Sequence, residues 1–404
     1  MPDDVRLMAE LGLTAYRFSI SWPRVQPGGR GRLAPAGLDF YDRLVDELLG
    51  HGVQPWVTLY HWDLPSPLQE SGGWADRDTA DRFTDYAVAV HAALGDRVRH
   101  WLTLNEPWSA AWLGHGAGVH APGVRDRGTA VRAAHVLLLA HGRATRELRR
   151  QASWGQQIGI ALNLGLVRPA RGRWGDPTVK RAVRIVDAML NRWWLGALLD
   201  GGYPQDALSA LATSMDGVVL PGDVEDIAQP LDLLGVNYAG DQLVDVHGRP
   251  ERSLAAAFPL PDRVTGGEPG EATASGSPVT PQGFRDLLVR IVTDHPSAPP
   301  LVITENGAAY TDVEPPAGTG VVEDPRRVSY LTGHLGALAE AIDLGVDVRG
   351  YFARSLLDGF EWSHGYTQRF GLVHVDFETQ ERRRKRSFEV YRDVIARARR
   401  SVLT

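Results

Sequence analysis

Two short segments place glutamates where buried strands would end. Thr103-Leu104-Asn105-Glu106-Pro107 closes the run 98–105, and Ile303-Thr304-Glu305-Asn306-Gly307 closes the run 300–305. Carboxyls at the ends of two different strands can face each other across a pocket. One as acid/base and one as nucleophile is the minimum equipment for breaking a glycosidic bond. Other polar and aromatic groups follow strand-like runs in the same way: Tyr60-His61-Trp62-Asp63, Asn237-Tyr238 and Glu361-Trp362.

Periodicity outlines the elements that must hold these groups. Apolar, β-rich runs lie at 13–20, 53–60, 98–105, 157–163, 231–238, 300–305 and 348–356. Helical patterns lie at 2–11, 36–50, 78–94, 129–150, 178–200, 281–294 and 325–345. In 40–49 the residues Phe40, Leu44, Val45, Leu48 and Leu49 share one helical face. Strands alternating with helices predict a parallel sheet. Chemistry spread over many strand ends predicts the C-terminal face of an α/β fold of the (β/α)8 TIM-barrel type, where a doubly wound sheet would gather it at one switch point.

Seven runs are one short of that barrel, and an open parallel sheet leaves exposed edges. Either the eighth strand hides in 240–280 or the first βα unit lacks its strand. The stretch 240–280 is rich in Gly, Pro, Asp and Ser and reads as a long active-site loop. The expectation is therefore a single domain over 1–404 whose first β-strand is missing. Residues 265–278 hold no motif and read as mobile, and the basic run 382–386 reads as a solvated turn.

Composition narrows the function further. With 404 residues, 43% hydrophobic and 23% charged, the chain can bury a core large enough for a deep pocket. A net charge of −6 argues against nucleic acid or an anionic membrane as partner. Only two of the 43 basic residues are lysines, which fits a GC-rich coding sequence. The absence of cysteine removes disulfides, thiolate nucleophiles and zinc–thiolate sites. The start Met1-Pro2-Asp3-Asp4-Val5-Arg6 is no signal peptide, so the expected location is cytoplasmic. Tryptophan packs on sugar rings as readily as it fills cores, and core packing is expected to account for more than half of the twelve.

The segments at 9–29, 57–65 (VTLYHWDLP), 101–108 (WLTLNEPW), 118–123, 233–240 (LLGVNYAG), 303–310 (ITENGAAY), 350–362 (GYFARSLLDGFEW) and 368–380 resemble, in order, glycoside hydrolase family 1. These are retaining β-glucosidases and relatives on a (β/α)8 barrel. The resemblance implies that Glu106 is the acid/base and Glu305 the nucleophile. It implies that Arg17 holds the nucleophile ionised. His61 and Asn105 resemble the donors to substrate hydroxyls, and Asn237 belongs to the same substrate-binding set. Glu361 and Trp362 resemble the pair that binds the outer hydroxyls of the sugar. A carboxylate there suits a neutral sugar and repels a 6-phosphate. The implied substrate is a small β-glycoside or oligosaccharide, with no metal and no organic cofactor.

Three departures stand out. No segment matches the family's N-terminal strand and its sugar-binding glutamine. Ala239 replaces a tyrosine whose hydroxyl bonds the nucleophile, and Arg354 replaces the tryptophan floor under the sugar, with Gly359 in place of an asparagine. Losing one hydrogen bond to a charged group costs about 1.5–3 kcal/mol, or ten- to a hundredfold. Two rival expectations follow: a catalytically impaired sugar-binding barrel or gene fragment, and an enzyme in which Arg354 pairs with an acidic sugar.

Overall fold

The structure is a computed structural model and describes residues 1–211, 217–246, 265–266, 271–312 and 320–402. All seven apolar runs form strands: β1 Ala15–Ser19, β2 Gln54–Tyr60, β3 His100–Asn105, β4 Gln157–Asn163, β5 Leu233–Tyr238, β6 Leu301–Asn306 and β7 Val348–Ala353. They pair in parallel and in chain order, β1-β2-β3-β4-β5-β6-β7. Burial on both faces explains why β2 to β6 read as almost continuous apolar runs, while the edge strands β1 and β7 are only partly buried.

Helices cover the outside: α1 Pro2–Leu11, α2 Pro35–Gly50, α3 Asp78–Leu94, α4 Arg127–Gln151, α5 Pro177–Asp187, α6 Pro281–Asp294, α7 Pro325–Asp343 and α8 Arg386–Val402. Their starts follow local chemistry. Asp126 accepts from the Thr129 backbone N–H and Asp176 from those of Thr178 and Val179, while prolines open α2, α6 and α7. The helical pattern at 178–200 is one α-helix continued by two π-helical turns, Ala188–Arg192 and Gly196–Asp200, with a short α-helical turn Trp193–Leu195 between them. The buried face of α2 is Tyr41, Leu44, Val45 and Leu48; Phe40 points outward, with the Arg24 guanidinium over its ring.

Inside the sheet, one layer takes a side chain from every strand: Ala15, Trp56, Leu102, Ala161, Leu233, Val302 and Phe352. This layer plugs the end away from the glutamates, as side-chain layers do in barrels. Closure is not complete: among the described residues β1 and β7 are the two ends of the sheet and do not pair with each other. A cavity of about 760 Å³ lies at this opening, lined by Tyr16 and Phe18 of β1, Met8 of α1, and Leu357 and Phe370 beyond β7. In the 240–280 stretch, 242–245 and 265–266 build a separate three-stranded sheet with 167–169; residues 247–264 and 267–270 lie outside the described residues.

The basic run departs from the solvated-turn expectation. Arg382–Arg384 is a strand paired antiparallel with Val373–Val375, and its arginines reach Asp4 and Glu10 of α1. Lys385 is fully buried. Its ammonium lies 2.6 Å from Asp312 and 3.0 Å from Asp358. Asp312, Asp358 and His374 would otherwise form a donor set for a metal, but the lysine already supplies the cation between the two carboxylates. Lys385→Met removes the cation the two carboxylates share and leaves Asp312 only Arg327 and Asp358 only Arg369, so stability should fall by about 1–3 kcal/mol in urea unfolding.

Candidate active site

Both glutamates stand at strand ends, and both strands are irregular just before them. On β3 the register to β4 slips between Leu102 and Asn105; on β6 the register to β5 slips so that Asn237 faces Glu305. Each slip inserts an extra residue and re-aims the side chains that follow, as bulges near active sites do. Glu106 then takes a left-handed backbone, φ 46°. Trp62 (φ 80°) and Trp362 (φ 29°) are also left-handed. Three non-glycine residues held this way around one pocket are a sign of backbone strain concentrated at a functional site. The π-helical turns Ser109–Gly116 directly follow Glu106, a feature frequent at such sites.

Arg17, on β1, is the hub. Its guanidinium donates to Glu305 Oε1 at 2.6 Å, Asn105 Oδ1 at 2.5 Å, Thr58 Oγ1 at 3.1 Å and the Thr304 carbonyl at 3.1 Å. Asn237 Nδ2 bridges Asn105 Oδ1 (3.0 Å) and Glu106 Oε1 (2.8 Å), and Thr304 donates to Asn237 Oδ1 at 2.6 Å. A continuous chain, Glu305–Arg17–Asn105–Asn237–Glu106, therefore links the two carboxyls. The Arg17 bonds to Glu305 and Asn105 are charge-assisted, the strong kind that fixes geometry.

The two carboxyls sit in opposite electrostatic surroundings. Burial pushes Glu106 up to about 7, and the nearby Glu305 charge adds to the effect. Hydrogen bonds from Asn237 and Ser109 oppose this only in part. Burial also acts upward on Glu305, but the Arg17 and Arg354 cations outweigh it and hold the carboxyl below the ordinary glutamate range. Two carboxyls with diverging proton affinities are how one site supplies both an acid and an ionised base.

His61 is pushed down to about 4 by burial, so it is neutral. Its Nδ1 lies 2.8 Å from Ser19 Oγ, and Asn105 Nδ2 lies 3.0 Å from its Nε2. Trp362 packs against both His61 and Trp62. These residues, with Asn237, Ala239, Glu305, Arg354 and Glu361, surround a pocket of about 180 Å³ or pack on its wall. The described lining of this pocket contains no glutamine.

Arg354, where the family resemblance implies a tryptophan, carries two ion pairs. Its Nε lies 3.2 Å from Glu305 Oε2, and its Nη2 lies 2.5 Å from Glu361 Oε2. Gly307 makes this approach possible, because a Cβ there would meet the Arg354 carbonyl oxygen at 1.8 Å. With Arg17 and Arg354 against Glu305 and Glu361, and Glu106 protonated, the charges cancel. The cation is already matched by two carboxylates, which removes the basis for reading it as a receptor for an acidic sugar.

Of the site residues singled out from the sequence, His61, Glu106, Asn237, Ala239, Glu305, Arg354 and Glu361 line this pocket, Arg17 and Asn105 lie behind it bonded to Glu305 and Asn237, and Trp362 packs on His61 and Trp62. Others emerge only in three dimensions. Ser109, one turn after Glu106, donates to Glu106 Oε2 at 2.8 Å. Asn306 is locked by Tyr238, Tyr330 and Tyr351 and so orients the strand end beside Glu305. Thr273, Ser275 and Ser277, from a segment that looked featureless, line the pocket; alternating small polar residues gave no periodic signal there.

Comparison with known proteins agrees with this geometry. The profile of glycosyl hydrolase family 1 matches residues 1–400. Thermostable beta-glucosidase B of Thermobispora bispora is 48% identical over 400 residues, covering 98% of this chain and 79% of the relative. Beta-glucosidase A of Thermotoga maritima is 42% identical, covering 97% and 84%. The crystal structure of a psychrophilic beta-glucosidase from Micrococcus antarcticus superposes with a TM-score of 0.92 at 47% identity, covering 98% of this chain and 85% of that one. Fold, pocket and sequence lead to one conclusion: the chain belongs to glycosyl hydrolase family 1.

Proposed function

We propose that the chain hydrolyses small, neutral β-glycosides of the β-glucoside type with retention at the anomeric carbon. Glu305 attacks the anomeric carbon and Glu106 protonates the departing oxygen. Glu106 then draws a proton from water as that water displaces the glycosyl ester. Arg17 keeps Glu305 ionised, Asn105 and Asn237 align both carboxyls, and His61, Glu361 and Trp362 bind sugar hydroxyls. The observation that carries this reading is the opposed electrostatics of Glu106 and Glu305 within one hydrogen-bonded chain. Relatives named beta-glucosidases support the sugar class.

The kcat/KM profile for a nitrophenyl β-glucoside tests it. The competent free enzyme has Glu305 ionised and Glu106 protonated. Activity should therefore be lost on the acid side below the ordinary glutamate range, and on the alkaline side as pH rises through about 7. Magnetic resonance of the first-formed sugar should show the β-anomer. The α-anomer as first product, or activity still rising above the Glu106 value, contradicts the assignment.

A further inference from the structure

Arg354 touches the Glu305 carboxylate itself. Its Nε is 3.2 Å from Glu305 Oε2, while Arg17 holds Oε1 at 2.6 Å, so both oxygens of this carboxylate face a cation. The side chain is fixed in place: Nη2 is tied to Glu361 at 2.5 Å, the guanidinium lies 4.2 Å over the Phe370 ring, and the backbone N–H donates to the Asn306 carbonyl at 3.0 Å. Arg354 lines both the 180 Å³ pocket and the neighbouring 760 Å³ cavity, as do His61, Glu361 and Phe370. It is thus part of the partition between them and stands directly beside the carboxylate.

We propose that Arg354 is a catalytic residue that acts oppositely on the two half-reactions, slowing formation of the glycosyl-enzyme and speeding its breakdown. This rests on the retaining mechanism proposed above. In the first step a Glu305 oxygen bonds to the anomeric carbon. The bond to the aglycone breaks, its electron pair stays on the leaving oxygen, and the Glu106 proton goes there. The charge on Glu305 is consumed, so a second cation stabilises the starting state more than the transition state. In the second step Glu106 takes a proton from water, the water oxygen bonds the anomeric carbon, and the ester electrons return to Glu305. Charge now grows beside Arg354, which stabilises the transition state more than the ester. An interaction changes a rate only through this difference. Arg17 acts in the same sense, but three bonds to Thr58, the Thr304 carbonyl and Asn105 also give it a framework role.

The test uses a dinitrophenyl 2-deoxy-2-fluoro-β-glucoside with the parent chain, Arg354→Gln and Arg354→Lys. The saturating trapping rate reports the first step, and reactivation of the isolated adduct reports the second. For Arg354→Gln, trapping should accelerate and reactivation should slow, each by roughly tenfold, the low end of the coupling between a close charge pair. Arg354→Lys should return both rates toward the parent values. Both are first-order constants of competent sites, so a smaller folded fraction changes neither. Rates that fall together, or that stay unmoved, overturn the proposal and assign Arg354 a structural role. Failure of the parent chain to form any adduct at Glu305 removes the retaining mechanism itself, a separately visible outcome.

Discussion

Glu305→Ala should lower kcat/KM by on the order of 10⁴- to 10⁶-fold, the scale seen when a covalent nucleophile is removed. The loss is large because no neighbouring group can take over. Glu106 is held protonated by burial, and Asn105 and Asn237 have no attacking charge. The same substitution leaves a space flanked by Arg17 and Arg354, two cations that suit a small anion. Added azide should restore turnover of a dinitrophenyl β-glucoside and give the α-glycosyl azide, since the anion attacks from the vacated side. Residual hydrolysis close to that of the parent chain, or a β-azide, would place the nucleophile elsewhere. Thermal unfolding is a useful companion measurement. Removing a carboxylate between two arginines leaves buried positive charge, so some destabilisation is expected alongside the chemical loss.

Glu106→Ala should cost about 10²- to 10⁴-fold in kcat/KM for glucosides with poor leaving groups, the usual contribution of general acid–base catalysis. Dinitrophenyl glucosides need little protonic help to depart, so their first step should be nearly spared and their second step slowed. Azide should here yield the β-glycosyl azide, because Glu305 still forms the ester and azide replaces water. The alkaline limb of the pH profile should vanish along with Glu106. A loss of equal size for all leaving groups would mean that Glu106 is structural, serving only to hold Asn237 and Ser109.

The strands and the two glutamates were visible in the sequence for a simple reason. A strand buried on both faces must be apolar along its length, so polar residues at 105–106 and 305–306 stand out as its end. What stayed hidden depends on contacts between distant segments. The register slips in β3 and β6 arise from pairing and leave no mark on the strand's own composition. Arg354 could be noticed as a departure, but its two ion pairs depend on how closely the Gly307 and Arg354 backbones pack. Lys385 sits within a basic run that looks solvated, and only the meeting of Asp312 and Asp358 shows why it is buried. The strand count is the opposite case. Counting apolar runs foresaw seven strands, and the described sheet has the same seven, with β1 and β7 unpaired at its opening. The hydrogen-bonded chain Arg17–Asn105–Asn237 nonetheless forms, because its anchors lie on β1, β3 and β5.

The most direct measurement is mass spectrometry of the chain after reaction with a 2-deoxy-2-fluoro-β-glucoside, followed by peptide mapping. The retaining mechanism predicts one fluoroglucosyl group per chain, attached to Glu305 and lost on standing with a sugar acceptor. An adduct on any other residue, or turnover of β-glucosides with inversion and no adduct, would contradict it.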